Sequence, residues 1–187
     1  KQLNFVPLGS TSIRKNVDKI CLANKKSENK KILFISDSSD YFADYTISRH
    51  KHTLNYMFSY QNNFIKILYQ NKNLNITYRP VPRFDANYKI RDDIGMIANL
   101  KNNFEKIKID NKTNIYEQIK ENDLIITDSV SGTVAAQVIA MKKNMIIFVD
   151  KRICPLYRGY FEDLKKASFL CSSKKEFLRA ANLISNK

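Results

Sequence analysis

The chain alternates short, wholly apolar runs with longer stretches whose apolar residues recur at helical spacing. Ile32-Leu33-Phe34-Ile35 is a compact apolar run that ends in Ser36-Asp37-Ser38-Ser39, the pattern of a buried strand running into a polar loop. From about Leu54 to Tyr69, the residues Leu54, Met57, Phe58, Phe64, Ile65, Leu68 and Tyr69 fall close to helical spacing. Leu74 to Arg79 predicts a second strand, stopped by Pro80 and Pro82. A short helix is expected over Asp92–Leu100, a third strand over Ile107–Asp110 and a short helix over Ile115–Lys120. Asp123–Asp128 is the clearest strand, followed by a helix from about Gly132 to Met141 and a buried strand at Met145–Asp150. A helix over Tyr160–Ala167, a short strand at Phe169–Cys171 and a closing helix over Lys174–Ile184 complete the pattern.

Strands that do not alternate apolar with polar residues are covered on both faces, and strands separated by helices pair in parallel. The expectation is therefore an α/β, doubly wound (Rossmann-like) fold. It has a mostly parallel sheet of about six strands with helices on both faces and right-handed crossovers. Residues 1–30 are polar, with Pro7, Gly9 and a charged stretch over Lys25–Lys31. They read as an entry segment or interdomain linker, with a short helix near Ile13–Leu22, and residues 31–187 read as the folded domain.

The length of 187 residues suits one domain. No apolar run approaches the roughly 20 residues of a membrane span, and Lys1-Gln2-Leu3 is neither an initiator Met nor a signal-peptide core. The chain reads as part of a longer protein. Cys21, Cys154 and Cys171 are widely spaced and odd in number, as free thiols of a reducing cytoplasm are. The formal net charge of +14 raises a nucleic-acid reading. The basic residues are scattered, however, and Lys is abundant together with Asn, Ile, Tyr and Phe, as AT-rich coding produces. Nucleic acid is thus not the expected partner, whereas a basic surface suits phosphorylated ligands and an anionic membrane face.

In a parallel sheet, ligands bind at the carboxyl ends of the strands. Four loops reach that edge: Ser36-Asp37-Ser38-Ser39, Arg79-Pro80-Val81-Pro82-Arg83, Asp128 to Thr133, and Asp150-Lys151-Arg152. In the third, Ser129, Ser131 and Thr133 offer hydroxyls, Gly132 permits close backbone approach, and the helix behind it presents free amides and a positive dipole end. That is an anion site; ordinary N-capping by Ser131 explains the same residues. Gln137 lies about a turn into the helix, either reaching a ribose or base or facing solvent. Arg79 and Arg83, held by a stiff Pro80/Pro82 loop, suit a diphosphate or a sugar acid, or else form a solvated rigid turn. Ser36, Asp37 and Ser38 are cleft candidates. His50 and His52 lack metal-ligand spacing and no carboxylate cluster joins them, so no metal is expected. There is no Walker-type Gly-Lys-Ser/Thr, no Gly-x-Gly-x-x-Gly and no nucleophile elbow.

The stretch Asp123-Leu124-Ile125-Ile126-Thr127-Asp128-Ser129-x-Ser131-Gly132-Thr133, then a helix, then Ile146-Ile147-Phe148-Val149-Asp150, resembles the C-terminal, donor-binding domain of GT-B glycosyltransferases. It is most similar to bacterial surface-carbohydrate and capsule transferases. The Arg79-Pro80-x-Pro82 loop is similar to their donor-phosphate loop, with Arg79 where His is usual. The tail with Arg158, Phe161 and Leu164 resembles their ending. Gln137 stands where many such enzymes carry an acidic residue for the donor ribose. The resemblance runs from about Lys31 to the end. It implies sugar transfer from a nucleotide-sugar to a glycan or lipid-linked acceptor, at the cytoplasmic side of the membrane. It implies neither metal nor cofactor, and it implies an N-terminal domain ahead of Lys1 that supplies the base. By this resemblance Arg79, Pro80, Arg83, Asp128, Ser129, Ser131, Gly132, Thr133 and Gln137 bind the donor. A nucleotide-sugar 2-epimerase of the same architecture, or a catalytically inactive scaffold domain of polysaccharide assembly, fits the same pattern.

Overall fold

The structure, a computed structural model, describes residues 30–36, 54–80, 95–128, 133–150 and 158–186. The expected helix at Ile13–Leu22 lies outside them, as do Cys21, Cys154, His50 and His52. Six parallel strands, β1 (Lys30–Ile35), β2 (Leu74–Arg79), β3 (Lys108–Ile109), β4 (Leu124–Thr127), β5 (Asn144–Phe148) and β6 (Phe169–Cys171), stand in the order β3-β2-β1-β4-β5-β6. The helices among the described residues are α1 (Leu54–Tyr69), α2 (Met96–Asn103), α3 (Ile115–Glu121), α4 (Thr133–Ala140), α5 (Arg158–Ala167) and α6 (Lys174–Ser185).

Successive strand residues point to opposite faces, and both faces are apolar here, so each needs a helical cover. Ile32, Phe34, Ile76, Tyr78, Ile126, Ile146 and Phe148 pack beneath α1, α2 and α6. Leu33, Ile35, Ile125, Met145, Ile147 and Val149 pack beneath α3, α4 and α5. This is the doubly wound sandwich that the run pattern predicts.

Element boundaries shift where local chemistry decides. Helix α2 starts at Met96 behind Gly95, whose φ of 69° only glycine adopts without strain; Asp92, its expected start, lies outside the described residues. Strand β3 keeps only two of its four expected residues. Ile107 lies ahead of the ladder; Asp110 still donates its backbone N–H to the Tyr78 carbonyl at 3.1 Å, but its side chain organises the connection to α3. The Asp110 carboxylate accepts from the backbone N–H groups of Lys112 (3.1 Å) and Thr113 (3.1 Å) and from the Thr113 hydroxyl (2.9 Å). It also pairs with Lys108 Nζ at 2.9 Å. Asn114 then caps α3 through its side chain.

The core beneath α1 and α6 is aromatic. Phe177 of α6 stacks on Phe64 (centroids 3.9 Å apart, planes at 18°) and on Phe148 (4.7 Å, 14°). Phe34 meets Phe177 edge-on at 6.4 Å and stacks on Tyr78 at 5.6 Å. Cys171 is buried in the same cluster, and burial pushes its thiol up to about 12, which leaves it protonated and unreactive at neutral pH.

Two outcomes follow. Phe177→Ala removes the ring that joins α1, α6 and β5, and should lower the unfolding free energy by about 3–5 kcal/mol in urea titration. By contrast Leu183→Ala, at a residue 54 % exposed, should change it by about 0.5 kcal/mol or less. The Lys108 ammonium and the turn amides hold the Asp110 carboxyl well below the usual carboxylate range. Its contribution is therefore present above the unfolded value near 3.8 and is lost as pH falls toward the depressed folded value. Asp110→Asn should cost about 1 kcal/mol at neutral pH and flatten this part of the acid limb, as read from denaturation midpoints across the acid range.

Candidate functional site

Strand β1 pairs with β2 on one side and β4 on the other, and its last pair with β4 is Ile35↔Thr127. The chain leaves β1 and β4 toward opposite edges of the sheet, so the strand order reverses between them. In open α/β sheets such a topological switch point is where a ligand crevice forms, at the carboxyl ends of the strands. Ser36 and Asp128 are the first residues beyond the paired ends, side by side, and α4 starts at Thr133 shortly after Asp128. The unpaired first-turn amides of a helix and its positive dipole end favour an anion at such a place.

On the α1 face this edge is closed by a buried polar network. Ser36 (3 % exposed), Asp128 (4 %) and Asp150 (0 %) turn inward beneath α1. Tyr60 donates its hydroxyl hydrogen to Asp128 Oδ2 at 2.8 Å, and Gln61 Nε2 donates to the same oxygen at 2.6 Å. Gln61 Nε2 also donates to Ser36 Oγ (3.2 Å), while Gln61 Oε1 accepts from the Tyr78 hydroxyl (2.9 Å). One turn back on the helix, the Tyr56 hydroxyl donates to Asp150 Oδ2. A carboxylate removed from water needs such donors, and bonds to a charged acceptor are the stronger ones. Ser36 and Asp128, read from the sequence as cleft and donor-binding positions, thus direct side-chain oxygens at α1.

On the opposite face stand Arg79 and Gln137. The half-buried Arg79 is braced from β2 by the β3–α3 connection: its Nη1 donates to the Thr113 carbonyl (2.7 Å) and to Gln118 Oε1 (2.6 Å). Gln118 Nε2 in turn donates to the Asp110 carbonyl at 3.1 Å. Burial lowers the Arg79 pKa from its ordinary value and the Asp110 charge opposes the shift, so the guanidinium stays cationic. The N–H groups of Arg79 other than those on Nη1 meet no acceptor among the described residues. Pro80 follows, buried, and the Arg79 carbonyl accepts from the Ser36 N–H at 3.0 Å, tying the ends of β1 and β2.

Gln137 does not face solvent: it is 9 % exposed on α4, and its Nε2 donates to the Tyr116 hydroxyl at 3.3 Å. Its Oε1 is buried without a hydrogen-bond partner among the described residues, a condition that natural structures relieve with solvent or a ligand. Ser129, Ser131, Gly132, Arg83, Asp37 and Ser38 lie outside the described residues, as do the Thr133 side chain and Lys151-Arg152.

The pattern of apolar positions missed Tyr56, Tyr60 and Gln61. One signal was available. Gln61 follows Met57 by four residues and precedes Ile65 by four and Leu68 by seven, so it falls on the apolar stripe of α1. A glutamine there is fully buried and has to find polar partners inside the fold.

Among the described residues no helix is long and apolar enough to cross a membrane, and no group of three or more His, Cys, Asp or Glu is placed to hold a metal ion.

Two of the solved structures similar to this chain share its fold. The wall teichoic acid polymerase TagF, in a CDPG soak, is 20 % identical, with 90 % of this chain covering 38 % of that one at a TM-score of 0.51. A Listeria monocytogenes protein assigned as a UDP-N-acetylglucosamine 2-epimerase is 12 % identical, with 92 % of this chain covering 39 % of that one at a TM-score of 0.53. The chain spans about two fifths of the length of these proteins, and the likeness is one of fold, the Rossmann-like half of a GT-B architecture. No curated protein matches. The model of the LIC12162 family transferases matches residues 2–187, essentially the whole sequence, and the chain belongs to that family of transferases.

Proposed function

We propose that this chain is the donor-binding half of a glycosyltransferase, which holds a nucleotide-sugar while its sugar passes to a hydroxyl of a surface glycan or lipid-linked acceptor. The observation that carries this reading is the switch point between β1 and β4, with α4 starting behind it. In this reading the donor diphosphate lies at the amino end of α4. There it meets backbone amides and the hydroxyls of Ser129, Ser131 and Thr133, and Gly132 lets the phosphate approach. Arg79 and Arg83 face it from the β2 loop stiffened by Pro80. The unsatisfied Oε1 of Gln137 accepts a hydroxyl or amino hydrogen of the ribose or base.

The chemistry follows from that placement. The bond between the sugar's anomeric carbon and the phosphate oxygen breaks, and a bond from the acceptor oxygen to that carbon forms. The acceptor proton leaves to a base on a partner domain across the cleft. Negative charge builds on the departing nucleotide, where Arg79 and the helix end stabilise it. Those groups do here what a metal does elsewhere, so neither metal nor cofactor enters the reading. Ser36, Asp37 and Ser38 then border the cleft on the β1 side. The excess of basic residues suits a cytoplasmic protein working at an anionic membrane face.

Membership of a transferase family favours transfer over epimerisation, although a 2-epimerase shares the fold. Calorimetric titration of the intact protein with CMP, CDP, UDP and GDP should find one that binds. Ser131→Ala should weaken it about tenfold, or about 1.4 kcal/mol. Gln137→Leu should weaken it similarly while leaving the melting temperature unchanged or higher, because an unsatisfied buried acceptor is replaced by an apolar group. Conversion of UDP-GlcNAc to its C2 epimer without an acceptor, seen by NMR, would move the reading to the epimerase. Failure of all four nucleotides to bind, with tight salt-sensitive binding of DNA or RNA instead, would sink it.

A further inference from the structure

Gln61 occupies a core position of α1 that a Leu or Met would fill at lower cost, since a buried primary amide has to recover every hydrogen bond it gives up. Its partners come from three different strands. Nε2 reaches Asp128 Oδ2, just beyond β4, and Ser36 Oγ, just beyond β1, while Oε1 receives the hydroxyl of Tyr78 on β2. The backbone ladder between β1 and β4 ends one residue earlier, at Ile35↔Thr127. Beyond that pair the two segments run toward opposite edges of the sheet, and among the described residues Gln61 is the side chain that bonds to both.

The amide is also oriented. A glutamine can present oxygen or nitrogen to a given neighbour. The Tyr78 hydroxyl donates at one end and the carboxylate accepts at the other, and this arrangement matches each end to its complement. Tyr60, which stacks edge-on against Phe148 at 4.7 Å, supplies the second donor to Asp128 Oδ2.

We infer that Gln61 is a positioning residue of the switch point: by clamping Asp128 and Ser36 together from the α1 side, it sets where the chain leaves β4 for α4 and so where the amide end of α4 is aimed. For its consequence on ligand affinity this rests on the donor-binding reading above; for the clamp itself it does not.

The test uses Gln61→Met, which keeps length and packing and removes both amide functions, in the intact protein. Two quantities are read: hydrogen–deuterium exchange of peptides spanning 127–135 without ligand, and affinity for whichever of CDP, UDP, GDP or CMP the wild type binds. The expected result is exchange about tenfold faster over 127–135 and affinity about tenfold weaker, with a melting temperature close to wild type. Wild-type exchange in Gln61→Met overturns the inference. Faster exchange in a protein whose wild type binds no nucleotide upholds the clamp and fails the donor reading.

Gln61→Glu supplies an independent readout and decides the matter if Gln61→Met does not fold. Protonated, its carboxyl donates its one hydrogen to Asp128 and accepts from Tyr78, keeping two of the amide's three bonds and losing the one to Ser36; ionised, it opposes the Asp128 charge. The titratable groups around it among the described residues are Asp128 just beyond β4, Tyr60 on its own helix and Tyr78 on β2; further off are Tyr56 on the same helix, Asp150 just beyond β5, and Lys174 of α6 over the Tyr56 ring. Two coupled carboxyls share one proton into the neutral range when buried. Protection over 127–135 in Gln61→Glu should therefore be partly kept at about pH 5 and lost by about pH 8, with the wild-type protein, corrected for intrinsic exchange, flat across that window. Protection in Gln61→Glu that stays at the wild-type level at both pH values would refute the positioning role.

Discussion

Everything near the carboxyl edge depends on β1 pairing with β2 on one side and β4 on the other. Its inner residues, Ile32 to Ile35, are at most 3 % exposed, so this strand has apolar cover on both faces and neighbours on both sides. Such a strand cannot be displaced without opening both cores. Because the crossovers on its two sides run in opposite directions, its carboxyl end is the place where sheets of this kind leave a crevice. The site is thus a consequence of topology before any side chain is considered.

The two faces of the sheet treat that crevice differently. Beneath α1 the polar groups are bonded to one another: Asp128 receives Tyr60 and Gln61, Ser36 receives Gln61, and Asp150 receives Tyr56. Buried carboxylates are tolerated when they are this well supplied, and removing a single donor is what makes them costly. Beneath α3 and α4 the supply is incomplete. Among the described residues, Gln137 keeps a buried, unmatched oxygen, and Arg79 has N–H groups that meet no acceptor beyond the two bonds that brace it. The first face reads as scaffold, and on the donor-binding proposal the second is the side from which a ligand would be recognised.

The strands and their order of appearance were legible because a strand buried on both faces is an uninterrupted apolar run, as in Ile32–Ile35 and Met145–Phe148. The edge strand β3 is shorter than its apolar pattern suggests: Asp110 keeps one backbone bond to β2, while its side chain serves the following turn. The site was legible as a location and much less as a set of contacts. Arg79 was read as a phosphate ligand, but the residues that brace it, Thr113 and Gln118, lie 34 and 39 positions away. The bonds to Asp128 span 67 and 68 positions. Hydrogen bonds between distant side chains leave no periodicity in a sequence. Their one trace was a glutamine on an apolar stripe.

That trace bears on how a GT-B half-domain can change its ligand while keeping its fold. The apolar runs and crossovers tolerate substitution as long as volume and pattern persist, which is how chains only 12 % and 20 % identical to this one come to share its architecture. A hydrogen-bonded cluster is less forgiving, because each member has to match the polarity of its partner. On the reading proposed here, the α1 face carries that constraint and holds the turn in place. The residues of the α4 face, Gln137 above all, are then free to vary with the ligand. The GT-B resemblance expects an acidic residue where Gln137 offers a neutral amide. On the donor-binding reading, that exchange would change the group met beside the phosphates and leave the amino end of α4 as it is.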